Sequence, residues 1–129
     1  MKTVLKYGMR LVFVLISGAT VYNMYTCRYN FDDALIRTIL FPIASTTIWA
    51  PDFTEKGFSK IKLGMPKIQV RAAIGHPLHK FCDEENEMDE ACDWIYTRQG
   101  TNLDAYDRRA ISFDDQGKVD YIWHEFYTN

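Results

Sequence analysis

Charged and apolar positions separate sharply at the start of the chain: Lys2, Lys6 and Arg10 come first, and no charge follows from Leu11 to Cys27. Basic-then-apolar order is the pattern of a membrane-targeting segment. Two readings of residues 1–27 stand. In one, Ser17-Gly18-Ala19 is a small-x-small cleavage site behind a short apolar core, Leu11 to Ile16. In the other, the segment is an uncleaved anchor, because Leu5 to Tyr25 reaches the roughly 20 residues a crossing needs if Lys6 and Arg10 snorkel to the interface. The anchor is the reading adopted. Beyond it, Leu35, Ile36, Ile39 and Leu40 recur at helical spacing and predict a short amphipathic helix interrupted by Pro42, inside an arm of residues 28–53. That helix reads equally as a membrane-surface or partner-binding element and as an arm packed on a domain. Residues 34–50 could instead form a second crossing that returns the rest of the chain to the cytoplasm, against the cost of Arg37, Pro42 and Ser45-Thr46-Thr47.

From Phe53 onward the pattern shortens into a compact domain, residues 54–129. In Gly64-Met65-Pro66 the proline suits a first helical turn with Met65 as the N-cap, while Gly75 closes the helix and Pro77 prevents its continuation. Val70, Ala73 and Ile74 share the inner face of this short helix, and Lys67, Gln69 and Arg71 face water. Alternation and β-branched or aromatic content predict strands at 93–97, 109–114 and 118–123, with Leu78 to Phe81 as an added edge strand. Asp115-Gln116-Gly117 makes a tight turn, which requires antiparallel pairing. Helices first and strands second predict an α+β fold, two short helices packed on a three- to four-stranded antiparallel sheet, preceded by the membrane segment.

Composition narrows the function classes. A chain of 129 residues holds one domain plus its ends, and 47% hydrophobic with 15% aromatic residues suffices for a packed core. A formal net charge of −2 without a basic stripe argues against nucleic acid as partner. Cys82 and Cys92 flank an acidic run; in an exported protein they pair as a disulfide, and in the cytoplasm they stay reduced. Tyr25 is bulky for a lipoprotein signal ending at Cys27.

Phe58-x-x-Ile61-x-x-Gly64-Met65, Val70, Ile74-Gly75-x-Pro77, Trp94-x-Tyr96 and Phe113-Asp114-x-x-Gly117-x-Val119 together resemble the SmpA/OmlA, or BamE-like, domain family over residues 58–121. The resemblance implies two short helices on a three-stranded antiparallel sheet, and a role in binding other envelope proteins instead of catalysis. It also implies that the glycines and prolines around residues 64–77 punctuate a structural helix. The chain departs from the family in having Pro66 where a threonine or serine cap is usual, and Met24-Tyr25-Thr26 before Cys27.

Candidate chemistry is sparse. His76, His79, Cys82 and Cys92 offer zinc-type ligands, but Pro77 keeps the histidines off one helix face. The run Asp83 to Glu90 offers oxygens for calcium without the glycine or spacing of an EF-hand. No serine, cysteine or lysine pairs with a base, and Glu125 and His124, adjacent in a strand, point to opposite faces. The expectation is a protein with no catalytic residue, no metal, no cofactor and no small-molecule substrate. If the sheet face away from the helices carries exposed aromatics, Tyr121 and Trp123 form a partner-binding surface, joined by Leu103 and Tyr106 from a loop spanning 99–107. The expected partner is another protein of the bacterial cell envelope, met in the periplasm by a membrane-anchored chain. The alternative is an inhibitor-like domain that presents that loop to an envelope enzyme, since the helix-on-sheet unit also resembles β-lactamase-inhibitor proteins.

Overall fold

The computed structural model describes the backbone of residues 2–44, 47–82, 91–100 and 105–128, and the side chains of the same residues except 2 and 40–44. It divides into two compact units, residues 1–45 and 46–129.

The first unit is a pair of helices, α1 (Lys2–Thr26) and α2 (Phe31–Ala44). Residues Thr3–Thr26 of α1, 24 in number, are long and apolar enough to cross a membrane; at 1.5 Å per residue they reach about 36 Å. The side chain of Asn30 starts α2 by accepting the Asp33 N–H at 2.8 Å, and its carbonyl accepts the Ala34 N–H at 3.0 Å. Asp32 and Asp33 follow in the first turn, where the helix dipole favours them. The expected interruption at Pro42 does not occur: the helix runs on to Ala44. Pro42 falls in the last turn, where its missing N–H removes one bond near the end of the helix.

The second unit contains β1 (Thr47–Trp49), α3 (Glu55–Phe58), α4 (Lys67–Ile74), β2 (His79–Cys82), β3 (Cys92–Ile95), β4 (Thr97–Gln99), β5 (Ala105–Phe113) and β6 (Val119–Thr128). Among the described residues the strands form a four-stranded antiparallel sheet in the order β2-β3-β5-β6 and a two-stranded pair β1-β4. The fold is α+β, with α3 and α4 packed on one face of the sheet. The strand predicted at 93–97 is divided at Tyr96, whose N–H goes to the Arg109 carbonyl at 3.0 Å and whose carbonyl accepts the Ala50 N–H at 2.8 Å. Thr97 Oγ1 then accepts the Arg109 N–H at 2.8 Å, so a side chain takes the place of a ladder bond.

Helix α4 begins one residue later than its sequence suggests. Pro66, with ψ near 151°, is the N-cap in place of Met65. The cause is pairing with the hairpin turn: Val119 donates to the Met65 carbonyl at 2.9 Å, Gly64 donates to the Val119 carbonyl at 2.7 Å, and Lys67 donates to the Gly117 carbonyl at 3.1 Å. That bridge holds Pro66 extended, just after the turn at Gly64, and satisfies a first-turn donor which Pro66 has no side-chain oxygen to meet. Gly75, at φ 71°, ends the helix as expected.

The core lies between the helices and the sheet. Phe58, Ile61, Val70 and Ile74 pack against Trp94, Ile111, Phe113 and Val119, all buried. Lys67 and Arg71 do not simply face water. Lys67 Nζ sits 5.5 Å from the centre of the Phe113 ring, and the Arg71 guanidinium 5.6 Å from that of Trp94. Their stems cover aromatic surface while the charges meet the ring faces.

Candidate interaction surface

Sheet geometry decides which side chains look away from the helices. Residues opposite one another across an antiparallel ladder share a face, and faces alternate along each strand. Trp94 pairs with Ile111 and Ile111 with Ile122, which fixes the helix-covered face. The other face therefore carries Ser112 with Tyr121, Ala110 with Trp123, Arg108 with Glu125, and Tyr106 with Tyr127. From β2 and β3 it receives Phe81 opposite Asp93 and His79 opposite Ile95.

Five of these side chains form one strip. The rings of Tyr121 and Trp123 meet edge to face with centroids 4.7 Å apart. The Arg108 guanidinium lies 5.1 Å from the centre of the Trp123 ring and 5.5 Å from that of Tyr127. Tyr127 in turn sits 5.5 Å from Tyr106. Glu125 Oε1 accepts a hydrogen bond from Arg108 Nη1 at 3.2 Å, which orients the guanidinium between the two rings. Burial, helped by the neighbouring Tyr127 and Glu125 and opposed by Arg108, raises the Tyr106 hydroxyl above its ordinary pKa, so it remains a neutral donor at physiological pH. From Tyr121 to Tyr127 the strip covers about 20 Å of strand. Tyr121 is 55% exposed and Phe81, at the edge strand, 67%. Neighbour-braced aromatics and an arginine lose little rotamer freedom on contact, and they are the residue types that concentrate binding energy.

The same two strands are braced from behind. Arg109, with a fully buried side chain, donates from Nε to Glu55 Oε1 at 2.9 Å and from Nη1 to the Arg108 carbonyl at 2.9 Å. Its Nη2 lies 2.8 Å from the same Glu55 oxygen, completing the ion pair. His124 Nε2 is 3.8 Å from Glu55 Oε2, and its ring stacks on Phe58 with centroids 5.9 Å apart. Burial alone would raise the Glu55 pKa; the nearby His124 ring and the charge and hydrogen bond of Arg109 outweigh it and hold the carboxyl below its ordinary value. Glu55 thus ties α3 to β5 and β6 directly behind the strip.

The sequence-derived candidates distribute unevenly. Tyr121 and Trp123 stand together on the open face, as their spacing implies. Tyr106 joins them, but from strand β5 and not from a loop tip: β5 begins at Ala105, four residues ahead of the predicted start, because Tyr106 finds a partner in Tyr127 on a β6 that runs to Thr128. Leu103 and the acidic run 83–90, with its calcium reading, lie outside the described residues. His124 and Glu125 do point to opposite faces. Cys82 and Cys92 are directly paired across β2 and β3 and joined by a disulfide. That occupies both thiolates of the zinc reading, and His76 and His79 are exposed. Sequence reasoning missed Arg108, Glu125, Tyr127 and Phe81; the odd-numbered alternation 121, 123, 125, 127 was the available signal. No protein-family model and no curated protein matches this chain.

Proposed function

We propose that this chain is a non-enzymatic, membrane-anchored protein of the bacterial cell envelope whose second unit faces the periplasm and binds another envelope protein through the open face of its sheet. The observation that carries the reading is the strip Tyr121, Trp123, Arg108, Tyr127 and Tyr106, a rigid aromatic surface with one internally paired charge. Such a surface presents apolar area and ring faces to a partner while its ionic pair stays satisfied. The BamE-like reading draws support from α3 and α4 lying on an antiparallel sheet, and from Gly75 closing α4 where the motif places a glycine. Support for export comes from the Cys82–Cys92 disulfide, a bond that persists in oxidising compartments.

Photo-crosslinking in cells tests the proposal, with the reactive residue placed at Tyr121, Trp123 or Phe81 and, as controls on the helix side, at Lys60 or Gln69. The expected result is one defined envelope protein captured from the sheet face and not from the controls. Equal capture from both sides, or none from any sheet position, overturns the assignment of this face.

A further inference from the structure

The two edges of the four-stranded sheet differ. Strand β2 has 4 residues and is tied to β3 by the disulfide, whereas β6 has 10. The direction of the outer backbone groups of β6 follows from the strand beside it. Arg109 sends its N–H to Thr97 Oγ1 and takes the Tyr96 N–H on its carbonyl, so both groups point away from β6. Its ladder partner His124 therefore sits in a pair without backbone hydrogen bonds, and the His124 N–H and C=O point away from β5. Alternation turns Ile122 and Phe126 outward in the same way, while Tyr121, Trp123, Glu125 and Tyr127 bond to β5. At its start this outer edge is covered, because Val119 exchanges both backbone bonds with Gly64 and Met65. The ladder then slips, Ser112 opposing Tyr121 and Phe113 opposing Val119, which leaves Asp120 as a bulge. Beyond the bulge, from Tyr121 to Thr128, no described strand meets the edge. That stretch has neither the proline nor the lysine by which edge strands resist pairing, so it is a template for another strand.

The stretch is complementary to itself in one register. Antiparallel pairing on a two-fold axis can be centred on Trp123, His124 or Glu125. Centred on Trp123, the copies set Phe126 against Asp120 and Tyr127 against Val119, where the edge is already taken by Gly64 and Met65. Centred on Glu125, they set that carboxylate directly against its own copy, like charge on like. Centred on His124, they match residues 121–127 end to end. Ile122 then lies against Phe126 on the helix side, and on the open side Trp123 lies against Glu125 and Tyr121 against Tyr127. Each Glu125 keeps its Arg108, and the Tyr106–Tyr127 pair of one copy continues into Tyr121 of the other. Apolar residues meet apolar ones, and no two carboxylates are opposed.

We propose that the outer edge of β6 pairs with β6 of a second copy of this chain, antiparallel and centred on His124, so that two four-stranded sheets become one. The aromatic strips of the two copies then lie side by side on a common surface. The second copy meets the edge and leaves the open face to a partner protein, so the pairing holds whatever that partner is. In the crosslinking experiment, a second copy captured at Tyr121 migrates at twice the mass of the chain and is read apart from an envelope partner.

The experiment uses the full chain with Cys27→Ser and its disulfide intact, in detergent micelles over a series of protein concentrations. A spin label is attached at Tyr121→Cys or Thr128→Cys, both exposed positions, and dipolar spectroscopy reads the distance between copies. Residue 121 and its copy lie about six residues apart along the strands and residue 128 about eight, so the expected separations are about 20 Å and about 27 Å. A register centred on Glu125 reverses that order, and one centred on Trp123 gives about 14 Å and about 34 Å; either result overturns the assignment. Trp123→Glu sets like charges opposite one another across the copies, and it is expected to weaken the dimer at least tenfold relative to Trp123→Gln. Equal dimerisation of these two variants counts against pairing at this edge. A chain that stays monomeric across the series overturns the proposal, and so does a dimer that shows neither distance, since it associates through another surface such as α1.

Discussion

At residue scale the informative group is Arg109, because a guanidinium with no solvent contact must have its charge answered inside the protein. Glu55 answers it from α3, and Glu55 is 40% exposed, so the pair is screened on one side. Breaking a fully buried pair by removing one partner costs about 3–5 kcal/mol; with this screening, Glu55→Gln is expected to lower unfolding stability by about 1–3 kcal/mol. Its pH dependence has a fixed sign. The folded carboxyl titrates below the ordinary 4.5, so the unfolded chain binds more protons in that range. The stabilisation is therefore complete above the ordinary value and is lost as pH falls through the lowered one. Denaturant unfolding of wild type and Glu55→Gln, followed by tryptophan fluorescence at stepwise pH, should show a gap that is constant near neutrality and closes in the acid range. A gap that widens on acidification contradicts the role given to Glu55. Tyr96 is a second buried polar group, and burial pushes its hydroxyl far above the usual tyrosine range against the opposing Arg71 charge. Its proton is held by a hydrogen bond to the Gly75 carbonyl at 3.1 Å, which fastens the junction of β3 and β4 to the end of α4.

At element scale the two short helices depend on close approach. A Cβ on Gly57 would run into the Ala73 carbonyl and lie 2.8 Å from Ile74 Cγ2, so α3 and α4 touch through a site that admits only glycine. Gly57→Ala is expected to destabilise the unit by about 1–3 kcal/mol, the usual cost of overpacking, visible as a lower denaturant midpoint with an unchanged slope; an unaltered midpoint contradicts this contact. Gly57 was not legible as special beforehand, since its neighbours at 73 and 74 arrive only when α4 folds back. What was legible follows local rules: Gly75 and Pro77 as a helix stop, Gly117 as the turn between two strands, and Val70 with Ile74 as an inner face. What was not follows tertiary pairing. Pro66 became an N-cap because the β6 hairpin bridges to it, Pro42 was tolerated because it sits in a last turn, and Lys67 was drawn over Phe113. The open face was half legible. Alternation placed Tyr121 and Trp123 together, but only register put Arg108 between Trp123 and Tyr127. Within the strip, Arg108→Ala removes the stack on both rings and leaves Glu125 unpaired, so it is expected to weaken partner capture at Trp123 several-fold. The Arg108–Glu125 pair itself contributes at most about 1 kcal/mol to folding, and an unchanged denaturant midpoint alongside lost capture distinguishes recognition from stability.

At the scale of the whole molecule, orientation, redox state and stability become one question. The helix α2 has 14 residues and reaches about 21 Å, short of the roughly 30 Å of a hydrocarbon core, which weighs against a second crossing. In the proposed orientation, with one crossing and Lys2, Lys6 and Arg10 retained on the cytoplasmic side, the second unit would be carried outward. There Cys82 and Cys92 would meet the oxidising conditions in which their bond persists. Their bridge closes a sequence separation of 10 residues, for which chain entropy gives about 2–3 kcal/mol of stabilisation, and it pins the edge strand β2, whose Phe81 is among the most exposed aromatics of the open face. Two linked results are expected. Mass analysis of unreduced peptides from the envelope finds Cys82 joined to Cys92, and a reporter fused at the C-terminus is active only when exported. The double variant Cys82→Ser with Cys92→Ser lowers the unfolding midpoint by that same increment and weakens capture at Phe81 more than at Trp123, because the bridge lies at the β2 edge while Trp123 is held by β5 and Arg108. Free thiols in envelope-derived protein, with a reporter active in the cytoplasm, would reverse the orientation. The lysines at 56, 60, 62 and 67 would then mark the inner side of the membrane.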